Sequence, residues 1–142
     1  MNARPPVILD QLASLADSTR SRILLLLDGQ ELSVSELCTV LQLPQSTVSW
    51  HLKALADADW VSARAEGTSN VYAMSRDGMD SATRRLWSLV REQVGPSPAA
   101  LQDQRRLQTA MAARRSKSVE FFTSSAGQWD RLRDDMFGDR FH

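Results

Sequence analysis

The segment from Leu43 to Leu55 constrains the fold more than any other part of the chain. Its apolar residues fall at Leu43, Val48, Leu52 and Leu55. This spacing places them on one face of an α-helix, where they form a stripe that a core can bury. The face between them carries short donors and acceptors with one cation: Gln45, Ser46, Thr47, Ser49, His51 and Lys53. Such a set is suited to contacts with phosphates and base edges in a major groove.

The flanking sequence predicts a helix before this segment and a β-hairpin after it. Residues 33–36, Ser-Val-Ser-Glu, form a capping box that opens a short helix, and residues 42–44, Gln-Leu-Pro, end it. Apolar and polar residues alternate over 61–66, residues 67–69 form a turn, and residues 70–74 predict a second strand. Helix, tight turn, helix and hairpin together predict a winged helix-turn-helix, in which the second helix lies in a DNA groove.

Helical periodicity predicts more helices on both sides of this unit. They are Ile8–Ala16, Ser18–Leu27 and Met79–Val94, with Asp17 and Asp77 as the N-caps of the last two. The second helix contains a continuous apolar run, Ile23–Leu27, which predicts burial on most of its sides.

Residues 95–98, Gly-Pro-Ser-Pro, are the clearest boundary in the chain. They divide a predicted domain, residues 1–95, from a helical extension, residues 96–142, that begins with one long helix over Ala99–Phe122. The predicted fold class is therefore mainly α with a small β-hairpin: a winged helix-turn-helix with a C-terminal helical extension. The extension carries large apolar side chains that a solvated tail would not keep exposed, so we expect them to fold back, cross to a partner subunit or cover an effector pocket. These are Phe121, Phe122, Trp129 and Phe137.

The charge balance limits how the chain can attract nucleic acid. Its formal net charge is zero, and residues 1–95 contain nine Lys or Arg against eleven Asp or Glu. Sequence-independent attraction to phosphates should be modest, so both copies in a dimer would have to contribute phosphate contacts. No apolar run approaches the length of a membrane span, and the N-terminus lacks the apolar segment of a secretory signal. We therefore expect a cytoplasmic protein that does not contact membranes.

The sequence contains no signature of an enzyme or of a cofactor site. The patterns GxGxxG, GxxxxGK[ST], HExxH and GxSxG are missing. The single cysteine, Cys38, excludes an internal disulfide and a cysteine-only metal cluster within one chain. Its simplest role is that of a small apolar core residue. We expect no enzymatic activity and no cofactor.

Several segments, in their order along the chain, resemble the ArsR/SmtB family of winged-helix repressors. They are Leu15–Arg20, Glu36–Cys38, the Ser-Thr-Val-Ser-x-His-Leu pattern at 46–52, and Arg64–Gly67. The resemblance covers roughly Val7–Val94. It implies a sequence-specific DNA-binding transcriptional regulator, most simply a repressor. It also implies a homodimer built on the first and last helices, which places two recognition helices on a palindromic double-stranded operator.

The chain departs from the metal-sensing members of that family. Those relatives carry Cys-x-Cys where this sequence has Cys38-Thr39-Val40, and Asp and His pairs on the closing helix, which here contains no histidine. Sites for arsenite or soft metals need two or three sulfur ligands. We therefore expect no metal site and leave the effector, if it is a small molecule, unidentified.

The end of the chain has a second resemblance. Residues 119–122 and 127–133 look like the lead-in helices of a class I S-adenosylmethionine methyltransferase, an enzyme that some bacterial proteins fuse behind an ArsR-type domain. The chain stops before any Gly-rich strand-turn-helix that would hold the cofactor. The alternative function is the regulatory N-terminal portion of such a fusion, without its catalytic domain.

The candidate DNA contacts carry different interpretations. Thr47 or Ser49 would contact a phosphate or a base edge, Gln45 would bind adenine, and Lys53 would contact phosphate. His51 either donates to a phosphate or hydrogen-bonds within the motif. Trp50 is either a wedge beside the backbone or a packing residue, and packing is favoured. The full predicted set is Gln45, Ser46, Thr47, Ser49, Trp50, His51 and Lys53 on the helix, with Arg64 and Thr68 on the wing.

The apolar positions of the two outer helices are candidates for the dimer interface that the resemblance implies. They are Leu12, Leu15, Leu86, Leu89 and Val90. A third hypothesis keeps the winged helix and replaces DNA by a protein partner, because residues 1–95 are slightly acidic.

Overall fold

The structure, a computed structural model, describes residues 7–116. Its first elements are α1 (Val7–Leu15), α2 (Ser18–Leu27), β1 (Leu32–Ser33), α3 (Val34–Leu41) and α4 (Gln45–Asp57). They are followed by β2 (Val61–Glu66), β3 (Ser69–Met74) and α5 (Ser81–Val94). A further helix, α6, occupies residues 98–116. The mainly helical winged helix-turn-helix predicted from the sequence is confirmed.

The strands form a three-stranded antiparallel sheet in the order β1-β3-β2. β2 and β3 are a hairpin in which Glu66 pairs with Ser69, so the turn consists of Gly67 and Thr68 alone. Gly67 has a φ of +62°, which suits the first position of a tight hairpin turn and is costly for residues with a side chain. The third strand, β1, was not predicted; it is only two residues long, with Leu32 paired to Tyr72.

Side-chain caps define where several helices begin. Asp17 accepts hydrogen bonds from the backbone N–H groups of Thr19 and Arg20, as predicted for α2. Ser33 and Glu36 form the predicted capping box at α3. The predicted start of α5 is wrong: its cap is Asp80, which accepts from the N–H of Thr83 at 2.8 Å, and not Asp77. The residues after β3 instead form a turn, in which Met79 N–H donates to the carbonyl of Arg76.

The core lies around α2. Ile23, Leu24, Leu26 and Leu27 are each at most 1% exposed, so the predicted burial of this helix on most sides is confirmed. Trp60, between α4 and β2, is also buried, and its indole N–H donates to the hydroxyl of Ser14 at 2.8 Å. This bond connects α1 to the end of the helix-turn-helix.

The chain divides into two compact units. The first extends to Leu107, which lies beyond the boundary predicted at residue 95. Within it, the first part of α6 contributes Asp103, a residue 1% exposed, whose carboxylate forms a two-bond pair with Arg22 of α2 at 2.7 and 2.8 Å. The second unit begins at Gln108, and its described residues, 108–116, are helical.

Two predictions cannot be compared with the structure. The aromatic residues Phe121, Phe122, Trp129 and Phe137 and the methyltransferase-like segments lie outside the described residues. Within residues 7–116, no helix is long and apolar enough to cross a lipid bilayer.

Candidate nucleic-acid interface

The turn between α3 and α4 sets the position of the polar helix. α3 ends at Gln42, which adopts a left-handed conformation with φ 59° and ψ 45°. Its backbone N–H and that of Leu43 both donate to the carbonyl of Cys38, and these two bonds close the end of α3. Pro44 then has the extended conformation required of a residue before a helix. The three-residue turn therefore holds α3 and α4 close together.

α4 presents the predicted polar face to solvent. Gln45, Ser46, Ser49 and Lys53 are exposed, and Thr47 is half-buried. Val48, Leu52 and Leu55 on the opposite face are 0% exposed. The apolar stripe therefore fixes the rotation of the helix about its axis, and the short polar residues are left free to meet a ligand.

The N-terminus of α4 differs from those of α2, α3 and α5. Those three helices each have a side chain that accepts a hydrogen bond from their first turn, whereas α4 begins after Pro44 with no side-chain cap. The N–H groups of the first turn of α4 have no partner within the helix. Together with the helix dipole they favour an anion such as a phosphate.

A groove of about 580 Å³ separates the wing from α3 and α4. Polar side chains line most of it, among them Gln45 and Ser49 of α4, Thr68 of the turn, and Asn70 of β3. Ser35 and Thr39, one turn apart on α3, complete its other wall. Three of these lining residues, Ser35, Thr39 and Asn70, were not predicted from the sequence. The i, i+4 spacing of the first two was the available signal.

The comparison with known proteins decides the family. Residues 17–63 match the model of the bacterial regulatory protein family arsR. An arsenical resistance operon repressor from Staphylococcus xylosus is 33% identical over 72 residues, which is 51% of this chain and 69% of that protein. The chain belongs to the ArsR family. It is therefore a winged helix-turn-helix DNA-binding transcriptional regulator, and its relatives are regulators rather than enzymes.

Solved structures agree with this assignment. HlyU from Vibrio cholerae is similar with a TM-score of 0.55 and 29% identity over 65% of this chain and 96% of its own. A homodimeric winged helix-turn-helix DNA-binding domain from Mycobacterium bovis, described as a possible ArsR-family regulator, has a TM-score of 0.50 and 31% identity. The similarity covers 65% of this chain and 88% of that domain.

In this ArsR-family protein, His51 lies inside the motif. It is 7% exposed, and its Nδ1 is 3.5 Å from the Arg20 guanidinium of α2. Arg20 also donates to the carbonyl of Ser14 at 2.7 Å, so it joins α1, α2 and α4. This contact is of the kind expected for a hydrogen bond within the motif, and the phosphate contact of His51 stays a prediction.

Trp50 corrects another prediction. The favoured interpretation was packing, but the side chain is 65% exposed. Its ring meets that of His51 edge-on, with centroids 5.0 Å apart, and the guanidinium of Arg20 lies 6.0 Å from its centroid. Trp50 is exposed because it follows Ser49 on the solvent side of α4, outside the stripe formed by Val48 and Leu52.

Both predicted cations of the DNA contact set already have carboxylate partners. Lys53 is 3.3 Å from Asp57, one turn along α4, and both side chains are more than half exposed. On the wing, Arg64 is 2.6 Å from Glu31 and 2.9 Å from Glu66, and these carboxylates, Glu31 first, raise its pKa further. Exposed pairs of this kind contribute little to stability. Phosphates can therefore replace these carboxylates at small cost. Thr68 is exposed at the tip of the hairpin.

The predicted dimer residues divide into two groups. Leu15 and Leu86 are 7% and 9% exposed, so they pack in the core of one protomer and offer little surface to a partner. Leu12 and Leu89 are 45% and 56% exposed, and Val90 is half-buried. The exposed start of α1 was not among the predicted interface positions; there Val7, Ile8 and Leu9 are 68%, 42% and 53% exposed.

Cys38 is half-buried on the α3 side of the groove. Burial raises the pKa of its thiol, which keeps the protonated, less reactive form. Among residues 7–116, no three His, Cys, Asp or Glu side chains come together in a group that could hold a metal ion.

Proposed function

We propose that this ArsR-family protein is a homodimeric repressor that inserts α4 into the major groove of a palindromic operator and is not controlled by a metal. In this proposal residues 1–95 bind DNA and form the dimer, and residues 96–142 are a helical extension. The observation that carries the proposal is the exposed polar face of α4, with its uncapped N-terminus, beside the groove that faces the wing.

The DNA contacts follow from this geometry. The N–H groups at the start of α4 would bind one phosphate, and Lys53, about two turns further along, would bind another. Gln45 and Ser49 share one face between them, which suits base edges. Arg64 would exchange Glu31 and Glu66 for a phosphate beside the wing.

Apolar exposure supports the homodimer. Exposed Val7, Ile8, Leu9 and Leu12 line α1, and Leu89 stands on α5. Gln11 donates to Thr83 at 2.7 Å, so α1 and α5 are held against each other and can present one surface. The similar Mycobacterium bovis domain is described as homodimeric.

The proposed independence from metals distinguishes this chain from relatives that are named for arsenical resistance. Cys38 has no second cysteine in the sequence with which to share a soft metal within one chain. Arsenite or zinc added to the purified protein should therefore leave its operator affinity unchanged.

The direct test is a mobility shift on the protein's own promoter. The double variant Ser49→Ala with Lys53→Ala should bind at least about tenfold more weakly, because a base-edge or phosphate contact and a charge are lost from each protomer. The matched control is Ser81→Ala with Arg85→Ala, an exposed serine and cation at the start of α5. Equal affinity of the double variant and the wild type would show that α4 is not the recognition helix.

The methyltransferase-like segments at 119–122 and 127–133 favour a second candidate, the regulatory portion of a fusion enzyme. We expect this chain alone not to bind S-adenosylmethionine. Calorimetry tests this expectation, and measurable binding would contradict the interpretation of these segments as lead-in helices without a cofactor site.

A further inference from the structure

A second cleft, of about 330 Å³, lies on another part of the first unit. It is bounded by the end of α2, the segment after β3, and α5. Arg84, Trp87, Ser88 and Arg91 of α5 line it at positions that recur with helical spacing, so a single face of this helix forms one wall. The volume is at the lower end of the range for small-molecule sites.

The cleft already binds one carboxylate. Asp28, which ends α2, has a side chain only 14% exposed, and its two oxygens are paired with different arginines. Arg76 comes from the segment after β3, and Arg91 from α5 at 3.1 Å. Two guanidiniums from separate elements therefore converge on a carboxylate supplied by a third.

The remaining charges leave room for one more anion. Arg84 also lines the cleft, and its guanidinium has no ion pair among the described residues. The lining contains Arg76, Arg84 and Arg91 against Asp28 and Asp77. Three positive and two negative groups leave one positive charge in excess, which a monoanion would neutralise.

The floor of the cleft is apolar, and one of its residues also has a buried N–H group without a partner within residues 7–116. Met74 is 8% exposed, Met79 is half-buried, and Trp87 is 5% exposed. The indole Nε1 of Trp87 is buried and has no hydrogen-bond partner among the described residues. Buried tryptophan N–H groups usually have an acceptor.

We propose that this cleft is the effector site and that it binds a small organic monocarboxylate with an apolar body. The carboxylate would pair with Arg84 and share Arg76 with Asp28, while the apolar body lies on Met74, Met79 and Trp87. The regulatory part of this proposal rests on the proposed function, but binding of the ligand does not.

The position of Arg76 connects the cleft to the DNA-binding elements. Arg76 follows the last residues of β3, and the neighbouring Ser75 N–H donates to the carbonyl of Trp60 at 2.9 Å. The N–H of Trp60 donates in turn to Leu55 near the end of α4 at 2.8 Å. A ligand that shares Arg76 with Asp28 would therefore contact a segment that these bonds connect to the wing and to the end of the recognition helix. It changes operator affinity to the extent that the two arrangements bind DNA differently.

The test of binding is calorimetry on the full chain with phenylacetate and indoleacetate, each compared with its uncharged alcohol, phenethyl alcohol and tryptophol. We expect each carboxylate to bind about tenfold more tightly than its alcohol, and Arg84→Gln to remove that difference. Arg85→Gln, the next residue on α5 and outside the cleft, is the matched control and should bind like the wild type. Asp28→Asn should bind carboxylates more tightly, because it releases Arg76 and Arg91.

The outcomes separate the two proposals. The site is refuted if neither carboxylate binds better than its alcohol, or if Arg84→Gln and Arg85→Gln bind alike. The effector role is refuted if a carboxylate binds but leaves operator affinity unchanged. Weaker operator binding by Arg84→Gln without ligand would instead assign the arginine to DNA. Because calorimetry needs no DNA, a failure of operator binding would refute the proposed function alone.

Discussion

At the scale of single residues, partial exposure decides which charges are structurally important. Asp103 is 1% exposed, whereas the Arg22 side chain that pairs with it is 20% exposed. The hydrogen bonding that Arg22 donates to the Asp103 carboxylate is the main reason that the pKa of Arg22 is raised. If the pair is broken, Arg22 can turn to water, but Asp103 cannot.

This asymmetry gives a prediction for stability. Arg22→Ala leaves the carboxylate of Asp103 buried, with Arg106 3.9 Å away as a weak substitute, and should lower the free energy of unfolding by about 3–5 kcal/mol. Asp103→Ala should cost less, because Arg22 regains hydration. Urea unfolding measures both, with Arg85→Ala as an exposed control. A larger loss for Asp103→Ala would contradict this account.

Single residues also show what a sequence pattern can and cannot predict about this structure. The apolar stripe of α4 was predictable, because Val48, Leu52 and Leu55 repeat with helical spacing and are all buried. Trp50 was not, because its size suggests packing and only the rotation of the helix places it in solvent. The contact of His51 was not predictable either, because its partner in the structure, Arg20, is 31 positions away in sequence.

At the scale of elements, the outer helices present apolar side chains that the first unit does not bury. The prediction is that Leu89→Glu, at a position 56% exposed on α5, dissociates the proposed dimer. Burial of a leucine side chain stabilises an interface by about 1.5–3 kcal/mol, so its removal should raise the dissociation constant of the dimer at least about tenfold. Sedimentation equilibrium measures the change.

The matched control for this prediction is Leu101→Glu on α6, which is 46% exposed and lies outside the proposed surface. It should leave the dimer intact. If the Leu89 variant stays dimeric and the Leu101 variant becomes monomeric, the dimer interface lies on α6 and not on α5.

Elements were predicted most accurately where their own residues specify them. The N-cap Asp17, the capping box at Ser33 and the hairpin turn are local signals, and they predicted the starts of α2 and α3 and the position of the wing. β1 was missed because its two residues form a strand only by pairing with β3. Helical periodicity could not separate Leu15 and Leu86 from Leu12 and Leu89, because it predicts an apolar face but not which part of the face its own protomer covers.

At the scale of the whole molecule, clefts and charge balance depend on contacts that no local pattern encodes. The second cleft brings Asp28 together with residues between 74 and 91. Nothing in the sequence around any one of its arginines predicts that the three lie together. The zero net charge was available from the sequence, and it makes the placement of a few cations decisive for DNA binding.

The central claim is that Lys53 of each α4 contacts an operator phosphate. Its most direct test is the salt dependence of operator affinity for the wild type and for Lys53→Gln. Because two protomers would each release one phosphate contact, the slope of log affinity against log salt concentration should become shallower by about two. An unchanged slope would contradict the placement of α4 on the DNA.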